Sequence, residues 1–430
     1  MQQVLPRLQG VFFGWWIVLA AALNLVLTAG LLMQSYSAYV AVMSETFPWS
    51  RTAFALAFSI QQVSSGLLGP VQGWLIERFG ARFVLRVGIF SLAISFALLS
   101  QVNSLLSFYL VFVGMAIGTT FGGFLSVTTV VVQWFSRYRS TALALLQVGV
   151  SFGGIVAPLV AWSLETYGWR STALASALAI VVIAMPLSYV MRGKPEDYGM
   201  FPDGIDPAEP EDAADDTSDK ATARKLPSRP VEVDFTLKQA LRTRAFWFIA
   251  AGHASALTVV SAVNVHVVVH LNQGLGYSLQ AAAYVIALMT VTTIIGHLIG
   301  GVLGDRVDKR YLAASAMFGH AIGLVALAFA YSFALVLVFA TLHGLAWGLR
   351  APLMQAMRAD YFGRKFFASI MGYSFMLVMV GMMTGPIIAG YAADVLGDYK
   401  LGFVLLASIA ALGSMFFLFA HPPAPPVAEL

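Results

Sequence analysis

The sequence predicts an all-α membrane protein of twelve transmembrane helices in two sets of six, and three observations predict it. The 430 residues are 59% hydrophobic and only 11% charged, less than half the roughly 25% charged residues of a soluble protein, and the mean hydropathy is +0.79. Twelve mostly apolar runs, each of the about 20 residues that a spanning helix needs, follow one another along the chain. The basic residues fall almost entirely on one side of those runs. This composition excludes a soluble enzyme, a disordered chain, a collagen and a disulfide-rich secreted module. The absence of cysteine excludes disulfides and thiolate metal sites.

The runs lie near residues 12–42, 52–76, 83–101, 105–134, 141–164, 171–191, 246–271, 279–303, 311–331, 334–357, 367–393 and 401–420. The first is too long for a signal peptide and eleven follow it, so it is read as retained. With the N-terminus in the cytoplasm, 21 of the 25 Lys and Arg residues fall in inside segments, only Arg51, Arg170 and Lys400 fall outside, and Arg350 lies within a span. That bias places both termini in the cytoplasm. It also accounts for a pI near 9.2 without a nucleic-acid partner. Trp15 and Trp16 fit an aromatic belt where the first helix enters the bilayer. Between the two sets of six, residues 193–243 turn polar, with Asp203, Asp206, Glu209, Glu211, Asp212, Asp215, Asp216 and Asp219 followed by Lys220, Arg224, Lys225 and Arg229. Such a segment buries too little apolar area to fold and reads as a solvated cytoplasmic linker between an N-terminal part, 1–192, and a C-terminal part, 244–430. The stretch from Phe235 to Arg242 reads as a short surface helix feeding the seventh span.

An internal repeat marks both parts. Gly73-Trp-Leu-Ile-Glu77-Arg78 with Arg82 follows the second span, and Gly301-Val-Leu-Gly-Asp305-Arg306 with Arg310 follows the eighth, 228 residues later. Both copies read Gly-x3-acid-Arg-x3-Arg. The carboxylate can cap a helix N-terminus, and the arginines can pair with acids or helix C-termini across the seam between the parts. Glu77, Arg78, Arg82, Asp305, Arg306 and Arg310 are therefore the expected gate. Positive-inside anchoring explains the arginines alone, but not the acid and glycine at matched spacing.

The doubled motif resembles the major facilitator superfamily over nearly all of the chain outside the linker. Gly14-Trp-Trp, Trp49-Ser-Arg51, Trp134-Phe-Ser-Arg137-Tyr-Arg139, Tyr167-Gly-Trp-Arg170, Gly385-Pro386 and Pro195-Glu-Asp-Tyr-Gly199 are similar to stretches of bacterial monocarboxylate-transporter-like and oxalate/formate-antiporter-like members. The resemblance implies two six-helix bundles around a central cavity that opens alternately to each side. It also implies that spans one, four, seven and ten line that cavity. Two cations of those relatives have no counterpart: His297 stands where an arginine of span eight is expected, and residues 371–383 hold no lysine.

Charged groups inside spans are costly and are functional candidates by default. No carboxylate sits at mid-span, and Arg350 is the one basic residue read within a span. His343, Trp347 and Arg350 follow at i, i+4 and i+7, on one helix face. A guanidinium there can grip a carboxylate through two hydrogen bonds, or it can snorkel to the interface or brace a backbone carbonyl. Six of the seven histidines lie in second-part spans, among them His266 and His297. Each is a neutral packing residue or, were transport driven by protons, a carrier of them. Tyr39, in a polar stripe with Asn24, Thr28 and Ser35 on span one, and Tyr36 near it are candidate cavity residues or helix–helix bonds.

The expected substrate-binding set is thus Arg350, His297, His266, Trp347, His343, Tyr36 and Tyr39. No phosphate-cradling loop, nucleophile with a paired base, or Cys/His metal spacing is present, so neither an enzyme nor a bound metal or cofactor is expected. The sequence reads as a monomeric secondary transporter of a small, monocarboxylate-like organic anion across a bacterial inner (plasma) membrane. Its drive would be protons or a counter-substrate. The alternative is a carrier or exporter of a neutral or aromatic metabolite such as a vitamin.

Overall fold

The computed structural model describes residues 11–205 and 233–426, here called the first and second halves, and its described residues contain helices and no strand. The first half holds α1 (Phe13–Thr28), α2 (Tyr36–Thr46), α3 (Arg51–Leu67), α4 (Gly69–Phe79), α5 (Ala81–Leu99), α6 (Leu105–Gly122), α7 (Phe124–Trp134), α8 (Arg139–Phe152), α9 (Val156–Ala179) and α10 (Met185–Val190). The second holds α11 (Leu237–Leu241), α12 (Arg244–Val269), α13 (Leu279–Gly304), α14 (Lys309–Ala328), α15 (Phe333–Phe362), α16 (Phe367–Leu396) and α17 (Lys400–Phe419).

The helix starts carry the local signals that satisfy the first, unpaired N–H groups. The hydroxyls of Ser50, Thr243 and Ser278 accept from Ala53, Phe246 and Ala281. Ser104 with Ser107, and Thr236 with Gln239, form reciprocal capping boxes. The short helix expected ahead of span seven is α11.

Ten helical stretches among the described residues are long and apolar enough to cross a membrane. Two features separate this from the twelve expected runs. The stretch Arg51–Phe79, in which α3 of 17 residues and α4 of 11 meet at Leu68, is not among the ten. Arg139–Val190 forms one 52-residue stretch, broken at Gly168, whose φ of 76° and ψ of 166° are non-helical. A third departure lies in α15, which continues to Phe362 rather than ending near 357. Arg358, expected in a loop, is therefore inside a helix.

The buried apolar side chains form two clusters. One spans Ile17 to Met191 but also takes in Ala356, Ala359, Phe367, Ala368 and Met371 from α15 and α16. The other runs from Phe235 to Ala420. The halves meet where α4 packs on α16 and α8 packs on α13 and α15. Glycine permits that approach: a Cβ on Gly73 would lie 2.6 Å from the Ser369 Cα, and one on Gly301 would lie 2.7 Å from the Ala144 Cβ and 3.0 Å from the Thr141 Cα. The linker expectation on residues 206–232 lies outside the described residues. The linker's flanks are docked rather than free. Asp203 accepts backbone N–H groups of Ser136, Arg137 and Tyr138 at 3.0, 2.7 and 3.2 Å. Asp234 accepts from the Lys365 N–H at 3.1 Å, and the Phe235 N–H donates to the Phe362 carbonyl at 2.9 Å.

Candidate functional site

The seam is closed at the end that carries the motif loops. Glu77 accepts from the Ser369 N–H in the first turn of α16 at 3.1 Å. Asp305 accepts from the Ser140 N–H at 2.7 Å, the Thr141 N–H at 3.0 Å and the Thr141 hydroxyl at 2.6 Å, in the first turn of α8. Each motif acid thus sits at a helix N-terminus of the opposite half, where unpaired N–H groups and the helix dipole favour an anion. Burial pushes the Asp305 carboxyl above its ordinary range, and the bonds from Thr141 and Ser140 pull the other way.

The motif arginines behave differently from the expectation. Arg78 lies 5.5 Å from the Trp74 ring and 5.7 Å from the Phe79 ring. Arg82 donates to the Tyr198 hydroxyl at 2.9 Å, Arg310 pairs with Asp308 at 2.6 Å, and Arg306 is exposed. These contacts stay within one half. The cations that cross the seam lie elsewhere. Arg139 reaches Asp360 at 2.5 Å while Lys309 holds the other carboxylate oxygen at 2.8 Å. Gln133 and Arg364 exchange two bonds, side-chain amide to carbonyl at 2.9 Å and guanidinium to carbonyl at 2.6 Å. The motif acids are occupied by helix ends, so other partners serve the arginine role.

Deeper in the second half lies a knot of basic side chains. Arg350 is 1% exposed, and its Nε and Nη1 have no hydrogen-bond partner. Its charge acts on His253, His297, His320, His343 and Arg358. His343 and His320 share an Nδ1···Nδ1 bond of 3.1 Å, and the Nε2 of each is buried without a partner. The His297 Nδ1 donates to the Gly348 carbonyl at 3.0 Å, which fixes the proton on that nitrogen because a carbonyl only accepts. Arg358, also 1% exposed, donates to the Ser374 hydroxyl through Nε at 3.1 Å and Nη2 at 2.5 Å, and through Nη1 to the Met354 carbonyl at 2.7 Å. Its Nη2 also meets the His253 Nδ1 at 3.4 Å. No Asp or Glu is among the fully buried described residues. Asp360 is held by Lys309 and Arg139 instead.

Of the expected binding set, Arg350, His297 and His343 are brought together, with Trp347 half-buried on the same helix. Tyr36 and Tyr39 are not part of it. The Tyr36 hydroxyl donates to the Phe54 carbonyl at 2.6 Å, and that of Tyr39 meets the Ser176 hydroxyl at 3.3 Å. Both rings line a tight apolar recess inside the first half with Phe96 and Phe112. His266 stands about 20 Å along α12 from His253. There it bridges the Tyr399 hydroxyl at 3.2 Å and the Pro386 carbonyl at 2.9 Å. Sequence reasoning missed Arg358, although its eight-residue spacing from Arg350 over the uncharged run Ala351–Met357 was visible.

Comparison with known proteins agrees with this architecture. The family model of the Major Facilitator Superfamily matches residues 18–329 and 267–429. Monocarboxylate transporter 13 of Rattus norvegicus is 25% identical over 413 residues, covering 94% of this chain and 87% of that protein. The cis,cis-muconate transport protein of Acinetobacter baylyi is 23% identical, covering 87% of this chain and 88% of that protein. Among solved structures, the human organic anion transporter MFSD10 (TETRAN) superposes with a TM-score of 0.71 at 16% identity, covering 94% of this chain and 99% of that one. FucP in the outward conformation also gives 0.71, at 15% identity with 94% and 98% covered.

Proposed function

The chain belongs to the major facilitator superfamily, and we propose that it is a secondary transporter of a small organic anion in which Arg350 holds the carboxylate. The observation that carries this reading is the buried Arg350 guanidinium with Nε and Nη1 unpartnered. An ion withdrawn from water costs several kcal/mol unless a counter-charge meets it. A carboxylate offers two oxygens that match the guanidinium fork. His297 and His343 border that position. The names of the relatives, a monocarboxylate transporter and a muconate transport protein, point to the same class of cargo. The neutral-metabolite alternative rested on the two missing family cations and on Tyr36, Tyr39 and Trp347; of these, the two tyrosine hydroxyls are engaged within the first half.

In this reading Arg51–Phe79 is a crossing and Arg139–Val190 is two, divided at Gly168, which makes twelve. The motif loops face the cytoplasm, the side favoured by the basic-residue bias, and the membrane is taken to be a bacterial inner membrane. The structure then represents the arrangement sealed on the cytoplasmic side, and release there requires Glu77, Asp305 and Asp360 to let go.

The test is uptake of radiolabelled carboxylates into proteoliposomes, with and without an imposed pH gradient, by the wild type and Arg350→Gln. The variant is expected to lose about 100-fold in uptake, in line with unpairing a buried charge, while still purifying as a monodisperse protein. Unchanged uptake would remove Arg350 from the mechanism. A response to the pH gradient would identify protons as the drive.

A further inference from the structure

We propose that the carried anion is a dianion, with Arg350 gripping one carboxylate and Arg358 supplying the positive charge that faces the second. This rests on the anion reading above and goes further, from the number of buried charges.

Arg350 and Arg358 are both 1% exposed and both on α15. Eight residues separate them, about 12 Å along a helix. The Arg358 head group folds back to the Met354 carbonyl, one turn nearer to Arg350. The charge of each acts on His253, which lies opposite on α12. Arg358 donates to the His253 Nδ1, so that nitrogen is an acceptor and the neutral ring carries its proton on Nε2. His253 therefore contributes a donor and no negative charge. The other polar neighbours, Ser374, His297, His320 and His343, bring none either.

The one acid near this end of α15, Asp360, has its own two cations in Arg139 and Lys309, and those are the charges that act on it. The described residues therefore leave the knot with two positive charges and no internal counter-charge. A monoanion would neutralise one guanidinium and leave the other buried and uncompensated. A ligand with two carboxylates balances both. Arg358 is satisfied in hydrogen bonds by Ser374 and Met354, so its role toward the ligand is electrostatic, whereas Arg350 has open donors for direct contact.

The experiment is competition against uptake of a labelled carboxylate in proteoliposomes. Succinate is compared with butyrate, and adipate with hexanoate, so that carbon number is matched and only charge differs. In the wild type the dicarboxylate of each pair is expected to compete about ten-fold or more better than its partner, the scale of one desolvated charge pair. Arg358→Gln should collapse that preference and Arg358→Lys should retain it. A purely structural role for Arg358 would change expression and thermal stability without moving the ratio. Equal competition by both members of each pair in the wild type overturns the dianion proposal and leaves the Arg350 reading standing. Competition by neither overturns the dianion proposal, and absence of any labelled-carboxylate uptake overturns the Arg350 reading with it. If Arg358→Gln does not yield folded protein, the wild-type ratio together with Arg358→Lys decides.

Discussion

Replacing Asp360 by Asn is expected to unseal the motif end of the seam. The side chain is 11% exposed and joins Arg139, itself 1% exposed, to Lys309. Removing its charge leaves Arg139 buried against a neutral amide. Breaking a buried pair by deleting one partner costs about 3–5 kcal/mol. The lower end applies because Asn keeps one acceptor oxygen and Arg139 keeps its Nε bond to the Phe135 carbonyl at 2.9 Å. A penalty of about 3 kcal/mol, felt only while the seam is closed, lowers the closed-to-open ratio by about two orders of magnitude. The chain contains no cysteine, so one added thiol reports cleanly. Ala144 is 2% exposed and lies against Gly301 inside the seam. The labelling rate of Ala144→Cys by a polar maleimide should rise with the open fraction in Asp360→Asn and should not change in Asp308→Asn, whose acid pairs within its own half. An unchanged rate in Asp360→Asn would refute the reasoning that this triad holds the halves together.

Two further outcomes follow from the same seam. Gly73→Leu places a side chain where even a Cβ would lie 2.6 Å from the Ser369 Cα and 2.7 Å from the Ala368 carbonyl oxygen; the closed seam should be lost, with fast labelling at position 144 and no net uptake, and a protected thiol would show that the close approach is dispensable. Because burial raises the Asp305 carboxyl, the closed arrangement binds a proton more tightly than one with Asp305 in water. Its contribution is therefore fully present below the ordinary carboxylate value of 3.8 and is lost as pH rises through the raised value. Spin-label distances across the seam should accordingly shorten on acidification through that window, and Asp305→Asn should abolish the dependence. Lengthening on acidification would show that the hydrogen bonds from Ser140 and Thr141 outweigh burial.

The spanning stretches were legible because apolar runs are a local signal, and the capping role of the motif acids because the Gly-x3-acid spacing repeats, although the helix ends they reach lie 292 and 165 residues away. Apolar runs report helices directly, and an acid at a fixed place in a repeated loop has few helix ends within reach. The extent of α15 was misread because the apolar run weakens after Met357, while the helix runs on to Gly363, whose φ of 79° ends it. Reading to that glycine would have carried Arg358 inward. The stripe joining Asn24 and Thr28 to Ser35 and Tyr39, with Tyr36 beside it, assumed an unbroken 3.6-residue period. The π-helical turn at Ala29–Gln34 breaks that register, and the two tyrosines turn into the first half. The Arg139–Asp360 and Gln133–Arg364 contacts join residues more than 200 positions apart, and nothing in the local sequence signals such pairs.

Asp203 and Asp234 stand on the two flanks of the segment between the halves, and each grips a loop of its own half. One holds residues 136–138, beside Arg139; the other holds Lys365, beside Arg364. The loops that present the seam's cations are thus moored before the intervening chain begins. Loss of either aspartate would loosen the loop beside a seam cation while leaving every contact of the seam itself chemically intact.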